Sequence, residues 1–65
     1  MVIGNNLKLL RKAKKMSQEE VAMDLGLTRS SYSGYENAIA EPSIETLIAL
    51  SNYYNVPIDD LAKKD

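Results

Sequence analysis

Residues 17–37 read SQEEVAMDLGLTRSSYSGYEN, and this stretch contains two helix start signals with a helix stop signal between them. Ser17 can cap the free backbone N–H groups of one helix, and Glu20, three residues later, can reach back to complete a capping box. Gly26 supplies the left-handed conformation that ends a helix at low cost. Thr28 can then cap a second helix only two residues further on. The stretch therefore predicts two short helices joined by a tight turn.

Two helices joined by so short a turn must cross at a steep angle rather than lie side by side. This is the geometry of the helix-turn-helix, in which the second helix enters the major groove of DNA. The small Ala22 suits the point at which the helices meet, and Tyr32 and Tyr35 can hold the second helix by packing inward. Ser and Gly, which are weak helix formers, occupy most of its outward positions. We interpret these small residues as a surface for close approach to a partner, with tolerated surface as the alternative.

The rest of the chain also has the apolar spacing of helices, without a sustained period of two that would indicate strands. We expect an all-α protein with five helices that form a single domain over residues 1–65. Asn37 is the expected left-handed stop of the third helix, and Asn55 is expected to terminate the fourth. The expected helices cover residues 4–14, 18–25, 29–37, 44–54 and 58–63. The side chains expected to face the core are Ile3, Leu7, Leu10 and Ala13 in the first helix, Val21, Ala22 and Leu25 in the second, Tyr32 and Tyr35 in the third, Ile44, Leu47, Ile48 and Ser51 in the fourth, and Ile58 and Leu61 in the fifth.

The overall charge argues against a nucleic-acid partner, but its distribution does not. The formal net charge is −1 and the pI is about 5.3, whereas nucleic-acid-binding domains usually carry excess positive charge. Residues 1–16 nevertheless contain five cationic side chains and no acid, and residues 30–62 contain five acids and no cation. A dipolar domain of this kind can present one positive face to DNA. Ordinary solvated charge is the equally weighted alternative.

Most enzymes and metal sites use residue types that are missing here. The sequence has no His and no Cys, which removes the commonest acid–base residue, the commonest metal ligand and any disulfide. Asp59 and Asp60 are adjacent and point to different faces of a helix, so they form no obvious acid–base pair or metal site. The longest apolar stretches fall far short of the roughly 20 residues that span a bilayer. We therefore expect a cytoplasmic protein without enzyme activity, metal or cofactor, and no membrane partner.

Four motifs follow one another at a joint spacing that is more specific than any one of them. They are SQEEVA (17–22), LGLTR (25–29), YEN (35–37) and PS (42–43). Together they resemble the phage lambda repressor/Cro family, also called the XRE family, and the resemblance runs from residue 3 to residue 61 without an insertion. It implies a lambda-repressor-like DNA-binding domain with the helix-turn-helix in helices 2 and 3. The implied function is that of a sequence-specific transcriptional regulator that binds double-stranded operator DNA. Repression is the expected direction of regulation.

The resemblance assigns DNA-binding roles to individual residues. Gln18 opens the second helix, where family members use a glutamine and free backbone amides to hold a phosphate. Arg29 is the candidate for base recognition, because a guanidinium can pair bidentately with guanine, and a phosphate contact is its alternative. Tyr32 and Tyr35 depart from the family pattern, which usually has smaller aliphatic residues at these inner positions, and their hydroxyls are expected to reach the edge of the core and contact a phosphate. Gly34 has no side chain for reading bases, so part of the specificity is expected from DNA shape. The expected DNA-binding residues are Lys12, Lys15, Gln18, Thr28, Arg29, Ser30, Tyr32, Ser33 and Gly34.

Glu36 needs a different explanation, because phosphate would repel a carboxylate on a helix that enters the groove. The resemblance implies that Glu36 pairs with Arg11 of the first helix, and we expect a structural ion pair rather than a catalytic group. A monomer of this size has too little surface for tight specific binding, so we expect a homodimer on a two-fold operator. The dimer surface is expected around residues 56–61. The protein itself is expected to lie in the cytoplasm, associated with the nucleoid.

One loop departs from the family pattern. After Asn37 the family usually has Gly and then basic residues, whereas this chain has the sequence AIAE at 38–41. Fewer cations there imply weaker binding that depends less on salt, and a left-handed Ala38 would cost about 1 to 2 kcal/mol. Ile39 is expected to fold onto the core, with an exposed partner or dimer contact as the alternative. An exposed Ile39 and the acidic second half leave a second function open. In that alternative the chain is a protein-interaction module of the same fold, such as a toxin-neutralising antitoxin or a coactivator-like adaptor.

Overall fold

The computed structural model describes residues 3–63, and within this range five helices follow one another without a strand. They are α1 (Ile3–Ala13), α2 (Gln18–Asp24), α3 (Arg29–Glu36), α4 (Ile44–Tyr54) and α5 (Ile58–Leu61). The all-α, five-helix prediction is confirmed. The boundaries agree to within one or two residues, which is the usual uncertainty of a frayed helix end.

Hydroxyl side chains start three of the helices. Ser17, Thr28 and Ser43 each accept a hydrogen bond from the backbone N–H three residues further on, as N-caps do. At Ser17 the capping box is complete, because its own backbone N–H donates to Glu20 Oε1 over 2.9 Å. The start signals that the sequence displays are therefore the ones the structure uses.

Four helices end at a left-handed residue. The positive φ angles are 57° at Lys15, 70° at Gly26, 59° at Ala38 and 56° at Asn55, which terminate α1 to α4 in turn. Only Gly26 among them has no Cβ to strain this conformation. Gly26 was expected to be left-handed and Asn55 to terminate α4, whereas Lys15 was not expected, because a lysine carries no signal for a left-handed turn.

The end of α3 differs from the prediction. Asn37 was expected to be left-handed, but it has a φ of −95° and Ala38 takes the left-handed position instead. The backbone explains the shift: the N–H of Ile39 donates to the carbonyl of Gly34 over 2.9 Å, and the N–H of Ala38 donates to that of Tyr35 over 3.4 Å. This paired closure of a helix end places the left-handed residue one position beyond the cap.

The core contains side chains from all five helices. Its best-buried members are Ile3, Leu7, Val21, Ala22, Tyr32, Leu47, Leu50, Tyr54 and Leu61. Full burial of one such aliphatic or aromatic side chain contributes on the order of 1.5 to 3 kcal/mol. Leu10, Leu25 and Tyr35 pack against this cluster while remaining partly exposed.

The inward face of α4 was predicted incorrectly. Ile44 and Ile48 were expected in the core, but their side chains are 73% and 47% exposed, and Leu50 and Tyr54 are buried instead. Apolar residues occupy both sides of this helix, so helical spacing alone did not decide which side packs inward. Three further residues expected to face the core do not: Ala13 and Ile58 are exposed, and Ser51 is only half-buried.

The start of α1 lies directly against the end of α3. A Cβ atom added at Gly4 would lie 2.4 Å from the carbonyl oxygen of Glu36 and 2.8 Å from that of Tyr35. These distances are shorter than any ordinary contact, and the obstructing atoms belong to the backbone, which cannot rotate away. Gly4 therefore permits a close approach that sets the position of α3 against α1.

We predict that Gly4→Ala lowers the free energy of unfolding by about 1 to 3 kcal/mol, because α1 must move away from α3 to accommodate the methyl group. The control is Gly34→Ala, whose added Cβ would meet only the Ala40 Cβ at 3.7 Å. This control should stabilise the protein by about 0.5 to 1 kcal/mol, since Gly disfavours a helix interior. Urea denaturation followed by circular dichroism measures both values. Equal stability of Gly4→Ala and wild type would contradict the close-approach argument.

Candidate nucleic-acid interface

The turn between α2 and α3 fixes the direction in which α3 leaves. The N–H of Leu27 donates to the carbonyl of Ala22 over 2.8 Å, and the N–H of Gly26 donates to that of Met23 over 3.1 Å. This bond pair, with the left-handed Gly26, closes α2 in a Schellman motif. Ala22 is buried beside the turn, as expected for a small residue at a helix crossing. The turn therefore has the geometry of a helix-turn-helix.

Five of the predicted DNA-binding residues lie together at the start and along the outer side of α3. Thr28, Arg29 and Ser30 are exposed, and Ser33 and Gly34 are half-buried. We call this set the α3 outer surface. Its side chains are small apart from Arg29, so the helix backbone is accessible to a partner.

The hydrogen bonds of this surface are local. The Thr28 hydroxyl accepts from the backbone N–H of Ser31 over 3.1 Å and donates to the Ser31 hydroxyl over 2.9 Å. The amide of Asn37 donates to the Ser33 hydroxyl over 3.1 Å. The Arg29 side chain has no hydrogen bond or ion pair to another residue within 3–63, so its guanidinium is available to a ligand.

Two exposed polar residues on this surface were missed by the sequence analysis. Ser31 shares the hydrogen bonds of Thr28, and Asn37 lies one helical turn beyond Ser33 and contacts it. The spacing of four residues between Ser33 and Asn37 is the signal that could have found the second of them.

Glu36 is a buried carboxylate at the end of α3, and the structure contains the ion pair that the resemblance implies. Arg11 Nε donates to Glu36 Oε2 over 2.8 Å, and Arg11 Nη2 donates to Glu36 Oε1 over 3.2 Å. The side chain of Glu36 is 0% exposed and that of Arg11 is 13% exposed. Arg11 Nη1 also donates to the carbonyl of Met16 over 2.9 Å, which fastens the loop before α2. The pair therefore connects α1, α3 and the start of α2.

Gln18 joins the same group of side chains. Its Nε2 donates to Glu36 Oε1 over 3.0 Å, and the residue is half-buried. Burial disfavours the charged form of Glu36, but the hydrogen bonds from Arg11 and Gln18 and the charge of Arg11 outweigh it and hold the pKa of this carboxyl below its usual range. The hydrogen bond to Glu36 in turn raises the pKa of Arg11. Both partners are therefore charged at neutral pH.

Tyr32 is not a DNA contact. Its hydroxyl was expected to reach the edge of the core, but the residue is 0% exposed and its hydroxyl lies 2.6 Å from the hydroxyl of Tyr54. Burial and this hydrogen bond raise the pKa of Tyr32 far above its usual range. The expectation was wrong because Tyr54, on the misassigned face of α4, points inward and supplies the polar partner.

Lys12 and Lys15, the two lysines predicted to contact DNA, are both exposed. Lys12 lies in the last turn of α1, and Lys15 is the left-handed residue that ends it. Lys14, which lies between them, instead forms a cation–π contact, with its Nζ 4.8 Å from the centre of the Tyr53 ring. Within residues 3–63, no side-chain hydrogen bond or ion pair engages the ammonium group of Lys12 or of Lys15.

The described residues contain no group of three or more His, Cys, Asp or Glu side chains able to hold a metal ion. Within the same residues, no helix has both the length and the apolar character that crossing a membrane requires.

Comparison with known proteins assigns the family. The family model described as Helix-turn-helix (HTH_3) matches residues 7–61 of this chain. The chain belongs to this XRE-type helix-turn-helix family, as its motifs indicate and as the turn after α2 shows in the structure.

Several relatives are similar over nearly the whole chain. It is 44% identical over 62 residues to the uncharacterized HTH-type transcriptional regulator YqaE of Bacillus subtilis (strain 168), covering 95% of this chain and 53% of YqaE. It is 38% identical over 65 residues to the HTH-type transcriptional regulator ImmR of the same organism, covering 100% of this chain and 51% of ImmR. It is 36% identical over 64 residues to the antitoxin PezA of Streptococcus pneumoniae serotype 4, covering 98% of this chain and 40% of PezA. The chain thus spans about half the length of the curated relatives it matches.

We predict that acid destabilises the protein partly through Glu36. A carboxyl with a lowered pKa in the folded state adds stability above its unfolded pKa of about 4.3, and this stability is lost as the pH falls through the folded pKa. Glu36→Gln should therefore cost about 3 to 5 kcal/mol near neutral pH, because it leaves Arg11 unpaired. The difference from wild type should shrink steadily below about pH 4.

Urea denaturation over a pH series measures this dependence. Glu45→Gln is the matched control, since Glu45 is exposed on α4. It should follow the wild-type curve throughout. A constant gap between Glu36→Gln and wild type at every pH would show that the carboxylate charge adds no stability.

Proposed function

We propose that this protein binds double-stranded operator DNA and regulates transcription, with α3 lying in the major groove. The observation that supports the proposal best is the contrast between the two sides of α3. Its inner side is locked by Tyr32 and Glu36, whereas the α3 outer surface is exposed at Thr28, Arg29 and Ser30, half-buried at Ser33 and Gly34, and carries only small side chains apart from Arg29. A helix held rigidly from behind with a bare outer side suits insertion into a groove.

Arg29 is the proposed base-reading residue. It is exposed at the first position of α3, and the N-terminal residues of a recognition helix are those that contact base edges. Its guanidinium can donate two parallel hydrogen bonds to O6 and N7 of guanine. Thr28, Ser30 and Ser33 can donate to or accept from bases and phosphates, and Gly34 lets the duplex approach the helix backbone.

Phosphate contacts are proposed for Gln18, Lys12 and Lys15. Only one N–H of the Gln18 side chain is used on Glu36, so the second can donate to a phosphate. Lys12 and Lys15 supply positive charge from the exposed end of α1. The loop after α3 has no cation, so we expect few phosphate contacts there and a modest salt dependence.

The active form is proposed to be a homodimer. Two copies would place their α3 helices in successive major grooves, about 34 Å apart, on a two-fold operator. The partly exposed Ile58 and Val56 at the start of α5 fit the expected dimer surface. Occupying an operator is enough to exclude another protein from it, so repression is the expected direction. Binding to chromosomal DNA places the protein in the cytoplasm, on the nucleoid.

A second function is favoured by one observation. Ile39 in the loop after α3 is 82% exposed, and Ile44 on α4 is also exposed, so apolar side chains are available to a protein partner. The similarity to an antitoxin fits this alternative. In it the chain would act as a toxin-neutralising antitoxin or a coactivator-like adaptor.

We predict that Arg29→Ala weakens binding to a duplex selected from a random pool by about 1 to 3 kcal/mol and relaxes the preference at one base position. Lys12→Ala is the comparison, because a lost phosphate contact should weaken all sequences alike and reduce the salt slope by about 1. Fluorescence anisotropy with the selected duplex and its single-base variants measures both effects.

The outcomes separate the two functions. A uniform loss across all sequences would make Arg29 a phosphate contact instead of a base reader. If wild-type protein binds random and selected DNA equally poorly at every salt concentration, DNA recognition fails as the function and the protein-interaction alternative stands.

A further inference from the structure

The loop between α1 and α2 contains a strained residue whose side chain the fold does not use. Lys15 has a φ of 57°, a left-handed conformation that its Cβ disfavours and that a glycine would adopt without cost. The residue is exposed, and within residues 3–63 no side-chain hydrogen bond or ion pair engages its ammonium group. A side chain that strains the backbone and supports no contact of the described fold points to a role outside it.

The strained conformation closes α1. The N–H of Lys15 donates to the carbonyl of Lys12 over 3.0 Å, and the N–H of Met16 donates to that of Arg11 over 3.3 Å. This bond pair is the Schellman closure that also ends α2. Arg11 Nη1 returns to the carbonyl of Met16 over 2.9 Å. The backbone at Lys15 is therefore held on the side of α1.

Tyr53 of α4 contacts both neighbours of Lys15. The Nζ of Lys14 lies 4.8 Å from the centre of the Tyr53 ring, within the range of a cation–π contact. The Tyr53 hydroxyl lies 3.3 Å from the Met16 Sδ and donates its one hydrogen to Asp24 Oδ2 over 2.7 Å, because a carboxylate is a stronger acceptor than a thioether. One aromatic side chain thus contacts the residues on either side of Lys15 and is itself anchored to the end of α2.

We propose that Tyr53 is a positioning residue for the Lys15 phosphate contact, because it holds Lys15 in its strained conformation before DNA binds. The inference rests on the proposed DNA-binding function. A lysine loses conformational freedom when it meets a phosphate, and a backbone that is fixed in advance reduces this cost. A glycine at this position would relieve the strain but would supply no charge. Tyr53 makes its contribution from α4, which carries none of the predicted DNA-binding residues.

The first test changes Lys15 itself. Lys15→Gly removes the strain together with the charge, so it should raise the urea midpoint of unfolding. It should also reduce the salt slope of log K for a duplex selected from a random pool by about 0.9, the share of one phosphate. Ala38→Gly is the matched control, because Ala38 has a φ of 59° and no charge. This control should raise the midpoint and leave the salt slope unchanged. An unchanged slope in Lys15→Gly would overturn the proposal.

The second test changes Tyr53. Tyr53→Leu should weaken binding to the selected duplex roughly two- to tenfold, the cost of ordering one mobile side chain on binding. In a Lys15→Ala background the same substitution should have no further effect. Tyr53→Phe keeps the ring beside Lys14 and should retain most of the affinity. An equally large loss from Tyr53→Leu in the Lys15→Ala background would show that Tyr53 acts elsewhere and would overturn the proposal.

A third measurement needs no DNA. Amide hydrogen exchange of Lys15 and Met16, whose N–H groups close α1, should accelerate in Tyr53→Leu by more than the loss of global stability explains. Lys14→Gln removes the cation from the ring at an exposed position and should have the same effect, so it replaces Tyr53→Leu if that variant does not fold. Unchanged exchange at both amides would overturn the proposal. Failure of wild-type protein to bind DNA, with exchange responding as expected, would instead refute the proposed function and leave the hold of Tyr53 on the loop intact.

Discussion

The buried carboxylate of Glu36 is the constraint on which the rest of this structure depends. A charge without solvent exposure is tolerated only when its hydrogen-bonding positions are filled. Arg11 fills two of them from α1 and Gln18 fills another from the start of α2, so three helices must meet at one point. Gly4 allows α1 to come close enough for this meeting, because a side chain there would strike the backbone of α3. Charge and close packing thus enforce the same arrangement.

This constraint explains how a helix of low intrinsic stability can be used for recognition. The outward positions of α3 carry serines and a glycine, which do not favour a helix by themselves. Tyr32 and Glu36 hold the helix from the inside, and the Thr28 cap starts it. Apart from the cap at Thr28, the fold is held from the inner side of α3, so in the proposed function the exposed Arg29 and Ser30 can serve DNA recognition. The left-handed Ala38 strains the C-terminal end of α3, because its Cβ disfavours a conformation that a glycine would adopt at no cost.

The sequence predicted the features that are written in local signals. Capping residues such as Ser17 located the helix starts, and the family motifs indicated the ion pair at Glu36. The faces of α4 were not predictable, because Ile44 and Tyr54 offer apolar surface on opposite sides and only tertiary packing selects one. The role of Tyr32 was missed for the same reason, since its partner hydroxyl comes from that unassigned face. The spacing of apolar residues predicts where the helices lie, but it does not determine which side chains of different helices contact each other.

The most direct test is an NMR titration of ¹⁵N-labelled protein with a duplex selected from a random pool. If α3 enters the groove while Glu36 holds it from behind, the largest amide shifts will fall on residues 28–34 and on Gln18, including its side chain. Amides of α4 around Ile44 should move little. Shifts concentrated on Ile39, Ile44 and Ile48, with residues 28–34 unchanged, would contradict the account and place the binding surface on these exposed apolar residues.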